Sequence, residues 1–401
     1  MRVSELKSAL AGPLTRGGRV RVLKVVLPLA CMAGLLLSPK LWLSARDYPL
    51  SPVGGLLPAA PPPADALLFA ALLVLLSLTA LAARPQRYAG AAVVLAVFLG
   101  LSDQSRWQPW FYQYVFMLAA LWLCLRKGPE DAARREDWLN ACRLIVASVY
   151  FWSGLQKLNV SFVDLIFPSL VNSHLNYFFG AAGAVPRPLI LSVPLVELCI
   201  GVGLLTRRFR DAAVVLAAGA HALILFLFVP VWRNSVVWPW NVAMPVFAAA
   251  LFWRAGDFSA REVLLPRRPG LQAALVLLFG VMPVFSFFGA WDSYLSAALY
   301  SGNVSVAAVH VSESVKERLP HGVRRHVRPG RAGEGLVISP GRWSLAELNV
   351  PAYPERRVFV GVARRVCAYA LDPADVRLVI HGRPHWRNGS REKSTYTCLD
   401  L

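Results

Sequence analysis

The sequence predicts an all-α polytopic transmembrane helical bundle of about nine spans, followed by a small β-rich C-terminal extramembrane domain. Three observations predict it. Of the 401 residues, 56% are hydrophobic and only 16% charged, whereas a soluble chain carries about 25% charged residues. Apolar runs of 14 to 20 residues recur through the first 290 positions, close to the ~20 that a bilayer crossing needs. After residue 291 the texture changes to short β-branched runs broken by Gly, Pro and Asp.

In order, the candidate spans are 22–43, 66–83, 88–101, 110–125, 138–155, 189–205, 212–231, 238–253 and 271–290. Residues 1–21 form a basic tail, 22–290 the bundle and 291–401 the extramembrane domain. The first run follows a basic stretch but has no small-x-small cleavage site, so it reads as an uncleaved span rather than a signal peptide. With the N-terminus in the cytoplasm, the inner segments carry 19 Lys and Arg, while the outer ones hold six: Lys40, Arg46, Arg106, Lys157, Arg187 and Arg233. That bias favours an odd number of crossings, an inner-membrane location in a bacterial cell and a periplasmic C-terminal domain. It also accounts for the net charge of +19 without a nucleic-acid partner.

Connections have their own signatures. "PAAPPPAD" is a stiff extended link, and "RKGPEDAARRED" is a charged inner turn. Residues 156–188 are too apolar for a free outer loop and are expected to lie at the interface or fold back over the bundle. In the tail, "VSVAAVHV", "GLVIS", "RRVFVGVARRVCAYAL" and "DVRLVIHG" read as strands. Cys31, Cys124, Cys142 and Cys199 fall in or beside spans and read as small apolar residues. Cys367 and Cys398 fall outside, where an oxidising compartment permits a disulfide, though spacing alone does not give their distance.

Ionisable groups within spans are costly and mark candidate sites. Glu197 lies about 12 Å and His221 about 15 Å below the outer ends of neighbouring spans. Such a pair either glues two helices through a hydrogen bond or serves a site. Lys157 ends the fifth span in "YFWSGLQKLN", beside Gln156. It either snorkels to the headgroups or sits in an apolar pocket as a base. Arg143, near the other end of that span, reads as a snorkelling or interface arginine. "LSDQSRWQPWFYQY" gathers Asp103 and Arg106 with Trp107, Gln108, Trp110, Phe111 and Tyr112: an aromatic belt with a local ion pair, or a flat pocket for a lipophilic ring. "VWRNSVVWPWNVAM" repeats the theme with Arg233, Asn234, Trp240 and Asn241. All these clusters fall in or beside the outer half. There is no H-E-x-x-H, paired-Cys motif or Gly-rich phosphate loop, which excludes zinc-hydrolase and soluble-nucleotide chemistry.

"SDQSRWQPWFYQY", "YFWSGLQKLN", "PLVELCIGVGLLTRRFRDAAVVLAAGAH" and "WDSYLSAALYSGN" resemble the horizontally transferred transmembrane domain (HTTM) family. That family includes the vitamin K-dependent gamma-carboxylase and bacterial relatives. The likeness spans about residues 20 to 300, with a looser match to a lumenal β-rich tail. It implies that Lys157 is the lysine linked to hydroquinone deprotonation, that Gln156 replaces a second lysine, and that Asp103, Trp107 and His221 match further family positions. One departure stands out. A functional Asn-His pair of the carboxylase falls here on Pro109 and Trp110, which speaks against faithful carboxylation of protein glutamate.

The expected function is therefore a lipophilic quinone, menaquinone being one, bound in an outer-leaflet pocket. Lys157, Asp103 and His221 would be catalytic, with Trp107, Gln108, Trp110, Tyr112, Gln156, Glu197 and Asn241 lining the pocket. The competing expectation is a non-enzymatic scaffold or immunity-type protein whose exported domain binds another protein. A transporter fits less well, for want of an inverted repeat or paired broken helices.

Overall fold

The computed structural model describes residues 14–401 apart from 55–59, 129–130, 181–182, 232–233, 257, 266–269, 331–332 and 334. Most of the expected basic tail, and Arg233, lie outside the described residues. Each of the nine apolar segments falls on a helix: α1 (Arg16–Leu37), α2 (Ala64–Leu81), α3 (Pro85–Ser102), α4 (Pro109–Leu125), α5 (Ala132–Lys157), then, after an intervening α6 (Phe167–Phe179), α7 (Arg187–Leu205), α8 (Arg210–Phe228), α9 (Trp238–Phe252) and α10 (Leu271–Phe288). Among the described residues, six helical segments are long and apolar enough to cross a membrane: α1, α2, α7, α8, Ser235–Phe252 and α10. Only 22% of the apolar window of α10 is buried within the protein. The rest of that surface needs lipid to cover it. The chain is thus a multi-pass, helical membrane protein with a small antiparallel sheet at its C-terminal end.

The centre belongs to the less apolar helices. Trp110, Phe111 and Tyr114 of α4, Trp138 of α5 and Phe247 of α9 are buried together with Trp42. Arginines close the helix ends around them. Arg19 donates to the carbonyls of Ala250 (2.8 Å) and Trp253 (3.0 Å), and Arg143 to that of Leu251 (3.2 Å). Arg210 donates to those of Ala255 and Phe258. The last carbonyls of a helix have no intrahelical donor, so these three guanidinium groups cap α9 and the turn after it. Arg143 is therefore wholly buried, not a snorkelling residue at the lipid interface. The Glu136 carboxylate (2.5 Å), the Asn140 side chain (2.7 Å), the Leu251 carbonyl and the Phe258 ring, 3.9 Å away, outcompete the headgroups.

Residues 160–180 do fold back over the bundle. A wide helical turn at Phe162–Ile166 leads into α6. Phe167, Leu170 and His174, spaced by three and four, face inward, while Tyr177, Phe178 and Phe179 stay exposed. Phe162 and Val163 pack on Ile190 of α7.

The C-terminal region carries a five-stranded antiparallel sheet in the order β2 (Val327–Pro329), β3 (Leu336–Ile338), β1 (Val306–Val311), β4 (Val376–Pro384), β5 (Arg391–Thr397). It is mixed rather than simply β-rich. "RRVFVGVARRVCAYAL", expected as a strand, holds α12 (Arg356–Cys367), which follows α11 (Pro340–Leu348). Val358, Phe359, Val362, Ala363 and Val366 are its buried positions. That is the period of a helix packing one face on a sheet. Cys367 and Cys398 are joined by a disulfide, with Cα atoms 5.8 Å apart.

This region seats on one end of the bundle. Glu347 accepts from the backbone N–H of Asp47 (2.7 Å) and Tyr48 (3.0 Å). Asn349 donates to the Leu37 carbonyl and Ser235, and Gln108 to the Pro351 carbonyl. Arg357 joins Gln104 and Asp292. The connections after α1, α3, α8 and α10 therefore share one end.

Candidate functional site

The site begins with helix periodicity. On α5, Tyr150, Ser153, Gly154 and Lys157 are spaced by three, four and seven, so they share one face. That face meets α7 backbone to backbone. A Cβ on Gly154 would sit 2.7 Å from the Pro194 carbonyl, and one on Gly201 would sit 2.7 Å from the Phe151 nitrogen. Small residues permit such contact between membrane helices. The close approach brings Lys157 to Glu197: Nζ lies 2.6 Å from Glu197 Oε2, 2.5 Å from Ser153 Oγ and 3.3 Å from the Ser153 carbonyl. An ammonium has three donors, and here all three have acceptors. Lys157 and Glu197 are each 8% exposed, so the lysine turns inward rather than out to the headgroups.

About two turns further into the bundle lies a second cluster. His221 Nδ1 is 2.8 Å from Asn241 Oδ1, and Nε2 is 2.7 Å from the Tyr150 hydroxyl. The Asn241 amide nitrogen donates to the Val237 carbonyl (2.8 Å), which leaves Oδ1 as the acceptor. His221 Nδ1 then carries the proton, and the neutral ring accepts from Tyr150 through Nε2. Glu197 was expected to work with His221. Its hydrogen bond goes to Lys157 instead, because the glycines press α5 and α7 together and set the amine closest.

Gln156 points away from Lys157. Its amide donates to Ser286 Oγ (2.7 Å) and accepts from Asn303 (2.6 Å). Asn159 holds the carbonyls of Gln156 (2.8 Å) and Ser301 (2.9 Å). The pair clamps the end of α5 to the segment leading into the sheet.

Asp103 and Arg106 do not form the expected local ion pair. Asp103 pairs with Arg46, both side chains wholly buried, and accepts from the N–H groups of Ser51 (3.2 Å) and Ser105 (3.1 Å). Arg106 donates to the carbonyls of Leu41 (3.0 Å), Trp42 (2.8 Å) and Leu99 (2.8 Å). Each nitrogen of the Arg106 guanidinium is thus on a carbonyl, while Arg46, which also holds the Tyr48 (2.9 Å) and Leu41 (2.9 Å) carbonyls, reaches the carboxylate. Burial pushes the Asp103 carboxyl up, but Arg46 and Arg106, with the hydrogen bonds, outweigh it and hold it below the ordinary carboxylate value. The aromatics around it are packing groups. Trp107 lies against Gly100, and Trp110 against Gly34. Tyr112 stacks on Phe279 with centroids 4.8 Å apart. Among the described residues, no hydrogen bond or ring contact joins Trp107, Trp110 or Tyr112 to Asp103, Lys157 or His221.

Tyr150, Ser153 and Arg46 escaped the sequence reading. The first two stand at i−7 and i−4 from Lys157, so helical spacing was signal enough to find them. Arg46 is remote in sequence from Asp103 and left no such signal. Among the described residues, no group of three or more His, Cys, Asp or Glu side chains is placed to hold a metal ion. Comparisons of the chain with protein-family models, curated proteins and solved structures gave no match.

Proposed function

We propose that the chain is an inner-membrane protein of the HTTM family that crosses the bilayer nine times and acts on a lipophilic ligand at the Lys157–Glu197 pair. The N-terminus would be cytoplasmic and residues 291–401 periplasmic. The shared end of the connections after α1, α3, α8 and α10 supports that alternation, as does the positive-charge bias. The observation that carries the site is the 2.6 Å contact between Lys157 Nζ and Glu197 Oε2, nearly buried within the bundle. Intramembrane charges are retained at a cost and favour a functional reading.

The geometry recasts the roles. The ammonium already has three acceptors, so the proton acceptor of the pair is the Glu197 carboxylate. A ligand hydroxyl would lose its proton to Glu197, and the Lys157 N–H that the neutralised carboxyl releases would turn to the oxygen that gave the proton up. Tyr150, His221 and Asn241 would order the floor. The resemblance implies a quinone as the ligand class, with Asp103 fixing the aromatic turn from behind. Mass spectrometry of organic extracts tests this on wild type, Lys157→Ala and Glu197→Gln purified in detergent. A quinone present in the wild type and depleted in both variants is expected. The same ordinary phospholipid in all three sinks the reading.

A second reading, a scaffold or immunity-type protein, draws on Leu371 and Leu399. They are 82% and 81% exposed and lie on either side of the disulfide. Under it, Leu371→Ser with Leu399→Ser would abolish function, and Lys157→Ala would not.

A further inference from the structure

We propose that the end of the bundle remote from the sheet carries a binding site for one anionic glycerophospholipid, in a basic groove where α3 begins and α4 ends. Arg84, Gln86, Arg87, Trp122 and Arg126 line a groove of about 280 Å³. Arg87 and Trp122 also line a second groove of about 680 Å³ that runs along α3 over Leu68, Val94, Leu95 and Phe98. A charged cup thus opens into an apolar channel on the lipid-facing flank. That is the shape of a headgroup with its acyl chain.

Four observations point to a ligand there. Among the described residues, Arg84, Arg87 and Arg126 have no carboxylate partner; Arg126 lies over the Trp122 ring at 6.0 Å. Gln86 is only 5% exposed, and its Oε1 is buried with no hydrogen-bond donor. A buried amide oxygen left unpaired costs stability, and turning the amide toward the groove that Gln86 lines would let a headgroup hydroxyl donate to it. Helix α3 is 18 residues long and starts at Pro85 with no side-chain cap. Its first-turn N–H groups and dipole therefore favour a phosphate. Finally, Gly90 seats the Trp122 indole: a Cβ there would lie 2.8 Å from Nε1. The indole straddles the two grooves at the depth where tryptophan prefers to sit between headgroup and chain.

Charge chooses the lipid. Three guanidinium groups with no acid among the lining residues select a net-negative headgroup over a zwitterionic one. The channel selects a lipid over a free phosphate, which would fill the cup alone. The site is independent of Lys157 and of any ligand there.

The test uses the full-length protein in detergent, with native mass spectrometry to count bound lipid and a thermal-shift assay. Dioleoylphosphatidylglycerol, dioleoylphosphatidylcholine and inorganic phosphate are the probes. The wild type should bind one phosphatidylglycerol in preference to phosphatidylcholine. The triple variant Arg84→Gln, Arg87→Gln, Arg126→Gln should bind it about a hundredfold more weakly, roughly fivefold for each charge. Ala91→Phe, which fills the apolar channel without touching a charge, should weaken the lipid and leave any phosphate effect unchanged. The proposal is overturned if both variants bind phosphatidylglycerol as the wild type does, or if phosphatidylcholine competes equally. It is also overturned if inorganic phosphate alone reproduces the stabilisation and Ala91→Phe changes nothing.

Discussion

Neutralising both halves of the Lys157–Glu197 pair should cost less than the sum of neutralising each half alone. Lys157→Met leaves the Glu197 carboxylate without its cation, and Glu197→Gln leaves the ammonium with Ser153 and a neutral amide. Breaking one side of a buried pair costs about 3–5 kcal/mol. The two side chains are 10% and 11% exposed, so the lower figure applies, about 3 kcal/mol each. The double variant leaves no bare charge. It gives up the three charge-assisted hydrogen bonds of the ammonium at about 1.5 kcal/mol each, about 4.5 kcal/mol in total. Set against about 6 kcal/mol for the summed singles, that leaves a coupling of about 1.5 kcal/mol, within the range for residues in contact. Unfolding in mixed micelles titrated with sodium dodecyl sulfate, followed by far-ultraviolet circular dichroism, measures all four proteins on one scale. If the double variant costs about 6 kcal/mol, the sum of the singles, the pair is not the unit described here and the acid–base reading loses its basis.

Gly154→Ala should destabilise by about 1–3 kcal/mol in the same titration, because its Cβ meets backbone of α7 rather than a yielding side chain. By parting α5 from α7 it should also deplete the ligand of Lys157. Asp103→Asn should cost about 3 kcal/mol, because buried Arg46 loses its carboxylate and keeps only backbone carbonyls such as those of Tyr48 and Leu41. Since the folded Asp103 carboxyl lies below its unfolded value, its contribution is present above that unfolded value and is lost as pH falls through the folded one. Acid titration of the wild type should show that loss, and Asp103→Asn should lack it. Removing the disulfide, which spans 31 residues, with Cys367→Ser and Cys398→Ser should lower stability by about 3–4 kcal/mol. Intact-mass analysis of alkylated protein from cells should find this pair oxidised, as a periplasmic location demands.

The bundle was legible because its signal is local. Apolar length and helical spacing mark each segment, and all nine lie on helices. What misled was amphipathicity in the tail. The run 356–371 has the valine content of a strand, but its buried residues recur at helical intervals, and a tally of β-branched residues ignores interval. Within the site, the depth of Glu197 and the terminal place of Lys157 were readable. Their meeting was not, because it depends on Gly154 lying against the backbone of Pro194 and Leu198 and Gly201 against that of Phe151, a fact of packing that spacing along the sequence does not carry. The same limit hid Arg46. Asp103 and Arg106 are three apart and of opposite charge, yet three buried carbonyls claim the arginine, and a residue 57 positions away takes the aspartate.

Deleting residues 300–401 does not separate the two readings of function. The segment 301–304 is shared property. Asn303 and Ser301 bond to Gln156 and Asn159 on one side, while Arg391 of β5 holds the carbonyls of Gly302 and Val304 on the other. A Cβ on Gly302 would come 3.0 Å from the Phe162 nitrogen, at the turn that starts the fold-back segment. Truncation would therefore leave the buried Gln156 amide oxygen unpaired, one residue from Lys157. It would also free the fold-back segment, whose Phe162 and Val163 pack on Ile190 of α7. Loss of function on deletion would follow from either reading. Single side chains discriminate: Lys157 and Glu197 on one side, whose side chains bond to each other and to Ser153 rather than to the 301–304 clamp, and Leu371 and Leu399 on the other.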